Sequence, residues 1–205
     1  MNGNAETSGY SMRLMNLALE TLAIVVCLGP NHLYAQSQAI NVNKSSLKIR
    51  VFKSGAFSAF AHDHEIQAPI SEGKIDSSAS PSVQLRVDSR KMRVLDPEIS
   101  VDKRAEIQHT MEGNTVLDVE HFPEISYRST AITKTGDAHW EVRGNLNLHG
   151  KNQPVVVAVS LEAGHYRGSA SFKQSAFGIT PIRIAGGTVK VKDEVKIEFD
   201  IVPLK

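Results

Sequence analysis

The strongest constraint on the fold is a two-residue alternation of apolar and polar side chains that returns along the chain. It is present in Leu47-Lys48-Ile49-Arg50-Val51, in Val83-Gln84-Leu85-Arg86-Val87 and again within residues 142–148 and 195–201. Successive side chains of a strand point to opposite faces, so this period predicts strands with one face in a core and one in water. Only Val155 to Val159 resembles the continuous apolar run of a buried parallel strand. The pattern therefore indicates an antiparallel all-β fold.

Turn signals separate these strands at short intervals, which predicts a series of hairpins. They are Gly136-Asp137, His149-Gly150-Lys151-Asn152, Ala163-Gly164, Gly186-Gly187 and Lys192-Asp193.

One segment departs from the strand pattern. Asp96-Pro97-Glu98 offers helix start signals, and one helical face continues to Gly113. That face is marked by Val101, Ala105, Gln108 and Met111, together with Ile107. About eight antiparallel strands and one short helix form a sandwich or a closed barrel, and closure removes the exposed edges. Such a barrel holds either a packed core or one small ligand, and the alternation alone does not choose between them.

The first 35 residues have the layout of a secretory signal peptide. Arg13 precedes an apolar run from Leu14 to Leu28, and Gly29-Pro30 ends it before a short polar stretch that finishes at Ala35. The run is shorter than the roughly 20 residues that cross a bilayer. We expect cleavage after Ala35, export to the periplasm or the medium, and one mature domain at residues 36–205.

Composition and motifs exclude several classes of function. Twenty-three Lys plus Arg against twenty-two Asp plus Glu leave a formal charge of +1, which argues against a nucleic-acid partner. The single cysteine, Cys27, lies in the segment expected to be removed. No Gly-x-Ser-x-Gly elbow or phosphate-binding glycine loop is present, so an enzyme is not expected.

Two histidines leave a metal site open as an alternative. In Ala61-His62-Asp63-His64-Glu65, His62 and His64 share one side of an extended strand. Imidazole is a common ligand for zinc, copper or nickel, but a catalytic zinc has about three protein ligands. The alternative function is therefore a periplasmic metal-binding or redox-associated protein, if further ligands converge on this pair.

An ordered series of motifs carries a family resemblance. It includes Asp118-Val119-Glu120-His121-Phe122-Pro123-Glu124-Ile125, Gly144-Asn145-Leu146-Asn147-Leu148-His149-Gly150 and Asp193-Glu194-Val195-Lys196-Ile197. With these motifs the mature region resembles the YceI-like family of bacterial lipid- and polyisoprenoid-binding proteins. The resemblance implies an exported, lipocalin-like antiparallel barrel that holds a long isoprenoid or related lipid in an apolar tunnel.

Strand parity and aromatic placement nominate eight residues of this tunnel: Phe60, Leu85, Met111, Tyr127, Leu146, Phe172, Phe177 and Phe199. We expect a non-enzymatic carrier that requires no cofactor and binds an isoprenoid, a quinone-like lipid or another amphiphile. Its polar head group is expected at the mouth beside His62 and His64. Transient membrane contact and a homodimer are both compatible with this function.

Overall fold

Antiparallel strands form most of the protein, whose structure is a computed structural model that describes residues 37–54, 63–184 and 189–204. These residues belong to one unit that spans residues 34–205. The described part contains one α-helix, α1 (Val101–Glu112), and twelve strands. The strands are β1 (Ser37–Ala39), β2 (Ser46–Ser54), β3 (His64–Gln67), β4 (Ile70–Asp76), β5 (Ser82–Asp88), β6 (Arg93–Val94), β7 (Glu124–Gly136), β8 (His139–Leu148), β9 (Lys151–Glu162), β10 (His165–Lys173), β11 (Arg183–Ile184) and β12 (Val189–Ile201).

Some of the sequence predictions fall outside these residues. They concern the signal peptide at residues 1–35, Phe60, His62 and the turn at Gly186-Gly187. Within the described part, every helix is too short or too polar to cross a bilayer.

Eleven of the twelve described strands occupy eight positions around a ring, and β11 pairs with the first residues of β12. β1 pairs with β4 and β2 pairs with β3, so β1 and β2 share the first position and β3 and β4 the second. β5 and β6 share the third position in the same way. The order continues through β7, β8, β9 and β10 to β12, which pairs back onto β2. Together with a bridge from Ile40 to Pro203, this pairing closes the predicted antiparallel barrel and excludes a sandwich.

The alternation in the sequence reappears as alternating burial. In β8, Val142, Leu146 and Leu148 are buried, whereas Arg143 and Asn145 are exposed. The inner faces of the strands thus supply the apolar interior of the barrel.

One predicted turn is wrong. Lys192-Asp193 lies inside β12, where the register with β2 shifts between Val191 and Val195. This irregularity turns the carboxylate of Asp193 toward Ser175, whose backbone N–H and hydroxyl both donate to it, at 2.9 and 2.7 Å. The polar residues that predicted a turn therefore belong to a β-bulge, and its Asp193 is hydrogen-bonded to the segment that follows β10.

Helix α1 is present, but it begins later than predicted. Its N-cap is Ser100, whose hydroxyl oxygen accepts the N–H of Lys103 at 3.3 Å. Asp96 does not start the helix because its carboxylate accepts the backbone N–H of Glu65 in β3, at 2.8 Å.

The predicted helical face of α1 is only partly correct. Met111 is buried and Ile107 is half-buried, whereas Val101 is 71% exposed and Ala105 is also exposed. The helix contacts the barrel through its last turns, since its first turn projects into solvent.

The two ends of the barrel differ in structure. The hairpin end carries the connections at residues 77–81, 137–138 and 163–164. The helix end carries α1 and the two short 3-10 turns Ser89–Lys91 and Gln174–Phe177. Buried apolar residues of the helix end form a continuous cluster, which includes Met92, Met111, Leu117, Leu148, Phe177 and Ile179.

Candidate functional site

The barrel encloses a cavity of about 590 Å³. Its wall consists mainly of inward-facing apolar side chains, such as Ile49 of β2, Val157 of β9 and Ile197 of β12. The volume lies within the roughly 300–1,000 Å³ that is typical of small-molecule sites. The interior is therefore hollow rather than filled by its own side chains, which the sequence pattern could not decide.

Two glycines of the wall make room for aromatic rings from neighbouring strands. A Cβ atom at Gly144 would lie 2.5 Å from Cζ of Tyr127, and one at Gly168 would lie 2.6 Å from Cζ of Phe199. The rings therefore lie over the backbone of the adjacent strand, which leaves the centre of the barrel free.

Tyr127 has its polar atom satisfied by the wall itself. Its hydroxyl lies 3.1 Å from the carbonyl oxygen of Val142 and 3.4 Å from that of Val155, so it can donate to either. Burial raises the pKa of Tyr127 to about 12. The phenol thus stays neutral and adds little polarity to the cavity.

Six of the nominated residues line the cavity, namely Leu85, Met111, Tyr127, Leu146, Phe172 and Phe199. Phe177 is fully buried and is not part of the lining. It follows β10 in a 3-10 turn and packs edge-on against Phe172, with ring centroids 5.1 Å apart. Phe60 lies outside the described residues, and contact of any of these side chains with a ligand stays a prediction.

His64 lies at the helix end and does not line the cavity. Its Nδ1 forms a hydrogen bond of 2.6 Å with Oδ2 of Asp96, whose side chain is only 1% exposed. His62 lies outside the described residues. Among the residues that are described, no group of three or more His, Cys, Asp or Glu side chains is placed to hold a metal ion.

Both charged residues of the described lining are at the hairpin end, whereas Ser126 and Gln174 are the polar residues that line the cavity toward the helix end. Asp76, Ser78, Lys134, Trp140 and Tyr166 line the cavity there. The Trp140 and Tyr166 rings lie 6.4 Å apart between centroids. His64 does not contribute to this rim, and the position of a head group stays a prediction.

A closed antiparallel barrel around a ligand-sized apolar cavity defines a lipocalin-like fold. The chain belongs to the YceI-like domain family, whose model matches residues 36–202. The resemblance seen in the sequence motifs is thus confirmed.

Two solved structures share this fold. BcnA of Burkholderia cenocepacia matches with a TM-score of 0.63 at 21% identity, over 79% of this chain and 98% of that one. A protein from Saccharophagus degradans, described as a polyisoprenoid binding domain, matches with a TM-score of 0.52 at 14% identity, over 80% of this chain and 95% of that one. At these identities the likeness shows the fold alone.

Curated relatives match a shorter part of the chain. A UPF0312 protein of Pseudomonas syringae pv. tomato is 32% identical over an 85-residue alignment that covers 37% of this chain and 44% of the relative. A UPF0312 protein of Yersinia pestis is 34% identical over a 101-residue alignment that covers 46% of this chain and 45% of the relative. The chain therefore spans less than half the length of either relative.

Proposed function

We propose that this protein is a non-enzymatic carrier that holds a long-chain isoprenoid or a related lipid in the barrel cavity. The observation that carries the proposal is the hollow apolar interior of about 590 Å³. The description of the structurally similar Saccharophagus degradans domain as polyisoprenoid binding supports it.

Burial of the tail supplies the binding free energy in this proposal. Each buried methylene contributes about 0.8 kcal/mol, while association costs an estimated 4–15 kcal/mol in lost freedom. A tail of several isoprene units is therefore needed for useful affinity. The tail occupies the apolar wall toward the helix end, and the head group stays at the polar rim of the hairpin end.

We further propose that residues 1–35 are a cleaved signal peptide and that the mature protein acts in the periplasm or outside the cell. Transient contact with a membrane would allow lipid exchange there. No cofactor is required, because binding involves no chemical step.

Analysis of the purified exported protein tests the proposal. Organic extraction followed by mass spectrometry is expected to release a stoichiometric isoprenoid, quinone-like lipid or similar amphiphile. Absence of extracted lipid, together with no binding of added long-chain prenols, would overturn the proposal. Elemental analysis of the same sample addresses the alternative at His62 and His64, because a stoichiometric metal would favour that function.

A further inference from the structure

Lys134 carries the sole positive charge among the described side chains that line the cavity. It is the last inward-facing residue of β7 and lies opposite Trp140 in the β7–β8 ladder. The inward positions before it include Ile125, Tyr127 and Ile132. Along β7 the cavity wall therefore changes from apolar to cationic at the hairpin end.

A β-bulge brings Lys134 to the inner face. The β7–β8 register shifts between Ser129 and Ala131, so Thr130 is an extra residue of β7 that has no partner position in the β8 ladder. The large side chains of β7 that line the cavity are the odd-numbered Ile125 and Tyr127 before the shift and the even-numbered Ile132 and Lys134 after it. Unbroken alternation would have placed Lys134 in solvent.

Hydrogen bonds on both sides hold this bulge. The hydroxyl oxygen of Ser129 accepts the N–H of Val83 in β5 at 2.8 Å. The hydroxyl of Thr130 donates to the carbonyl oxygen of Arg143 in β8 at 3.3 Å. The inward direction of Lys134 is therefore a fixed feature of the wall.

The Lys134 ammonium is only weakly paired. Its Nζ lies 3.6 Å from Oδ1 of Asp137, and both side chains are largely exposed, at 62% and 109%. The other charged lining residue, Asp76, accepts the backbone N–H of Ser78 at 2.9 Å, and this hydrogen bond lowers the pKa of Asp76. The acid is thus engaged in its own turn, whereas the ammonium retains donors for a ligand.

We propose that Lys134 binds the anionic head group, of the phosphate or carboxylate class, of the lipid whose tail fills the cavity. This inference rests on the proposed carrier function. Because Asp76 and Asp137 flank the rim, the net field there does not attract anions. Recognition therefore depends on direct charge-assisted hydrogen bonds from the Lys134 ammonium.

The test compares two ligands that share a tail and differ in the head group. Geranylgeraniol and geranylgeranyl monophosphate are titrated into the delipidated protein, and binding is followed by the fluorescence of Trp140, the sole tryptophan of the chain. The variant is Lys134→Met. The matched control is Lys103→Met, which removes the same charge from the exposed face of α1.

Lys134→Met is expected to weaken binding of the monophosphate about tenfold, which is the effect of losing one charge-assisted hydrogen bond at a solvent-exposed position. Its affinity for geranylgeraniol is expected to stay at the wild-type value, and Lys103→Met to change neither. Equal losses for both ligands, or no loss for either, overturn the head-group role. Binding of inorganic phosphate alone that disappears in Lys134→Met overturns it in favour of a free-anion site. Failure of the wild type to bind either lipid overturns the carrier function itself.

Discussion

Phe199 lies directly across from Gly168 in the ladder between β12 and β10, and its ring occupies the space that a side chain at position 168 would need. A Cβ atom at Gly168 would also meet the carbonyl oxygen of Ala158 on β9. The cavity stays wide at this position because the Phe199 ring of β12 packs over the backbone of Gly168 in β10, where no side chain projects.

Gly168→Ala is therefore expected to force the carbonyl oxygen of Ala158 and the Phe199 ring away from the added carbon, and to destabilise the fold by about 1–3 kcal/mol, the usual cost of overpacking. Urea unfolding measures the change. The control is Gly136→Ala, where the nearest atom lies 3.7 Å from the added carbon, so the change should stay within about 0.5 kcal/mol. Equal stabilities of the two variants would contradict the packing of Phe199 over Gly168.

Partly filling the cavity should weaken lipid binding while the protein stays folded. Ala170 is buried and lines the cavity, whereas its neighbour Ser171 is exposed on the outer face of β10. Ala170→Phe is expected to reduce geranylgeraniol affinity by at least about tenfold, since the added ring displaces part of the tail. Ser171→Phe adds the same ring outside and should bind normally. Unchanged binding by Ala170→Phe would place the lipid elsewhere.

Tyr127 gives the protein a stability change at high pH. Its folded pKa of about 12 exceeds the ordinary value of about 10, so the fold retains the proton longer than the unfolded chain does. The stability associated with the neutral phenol is complete below about pH 10 and is lost as the pH rises through about 12. Tyrosinate absorbance of the wild type minus that of Tyr127→Phe should show a titration centred near pH 12.

A difference titration centred near pH 10 would mean that water reaches the Tyr127 phenol. That result would contradict the burial of Tyr127 in the cavity wall. At neutral pH, Tyr127→Phe should lower the free energy of unfolding by about 1 kcal/mol, because one hydrogen bond is lost. Above pH 10, the variant should lack the loss of stability that Tyr127 causes in the wild type.

Asp96 is expected to serve the fold and not the ligand. Asp96→Ala removes the acceptor of the Glu65 N–H and of His64, so it should destabilise the protein by about 1–3 kcal/mol in thermal or urea unfolding. Lipid retention should persist, because Asp96 and His64 do not line the cavity. Glu98→Ala, at an exposed site two residues away, should change stability by no more than about 0.5 kcal/mol. Loss of lipid by folded Asp96→Ala would contradict this separation of roles.

The strands could be predicted from the sequence because half-buried strands leave a two-residue period. Closure of the barrel could not. Residues 64–76 form β3 and β4, which occupy one position in the barrel and change their pairing partner from β2 to β1 at Ala68-Pro69. The N–H of Ala68 still donates to the carbonyl oxygen of Leu47 in β2, but Pro69 has no N–H with which to continue that ladder. Such a break resembles any other loop in the sequence, since its meaning depends on strands that are distant in the chain.

The candidate site was predictable where strands are regular. Leu85, Leu146 and Phe199 follow simple parity, and they line the cavity. Phe177 does not, because β10 ends at Lys173 and a 3-10 turn sets its direction. Lys134 is not among the predicted residues because parity and aromatic placement select apolar side chains, and regular alternation from Tyr127 would point Lys134 outward. A change from odd-numbered to even-numbered apolar positions between Tyr127 and Ile132 was the available signal.

The extra residue at Thr130 makes the polarity of the rim depend on strand pairing as well as on residue type. A β7 strand of the same length without the bulge would place Thr133 instead of the lysine inside the barrel, whereas deletion of Thr130 would restore regular alternation and leave Lys134 inside. A relative of equal length that pairs without the bulge would therefore present a neutral hydroxyl to its ligand. Alignments of such barrels therefore compare ligand preference correctly only when gaps in β7 are placed at the bulge.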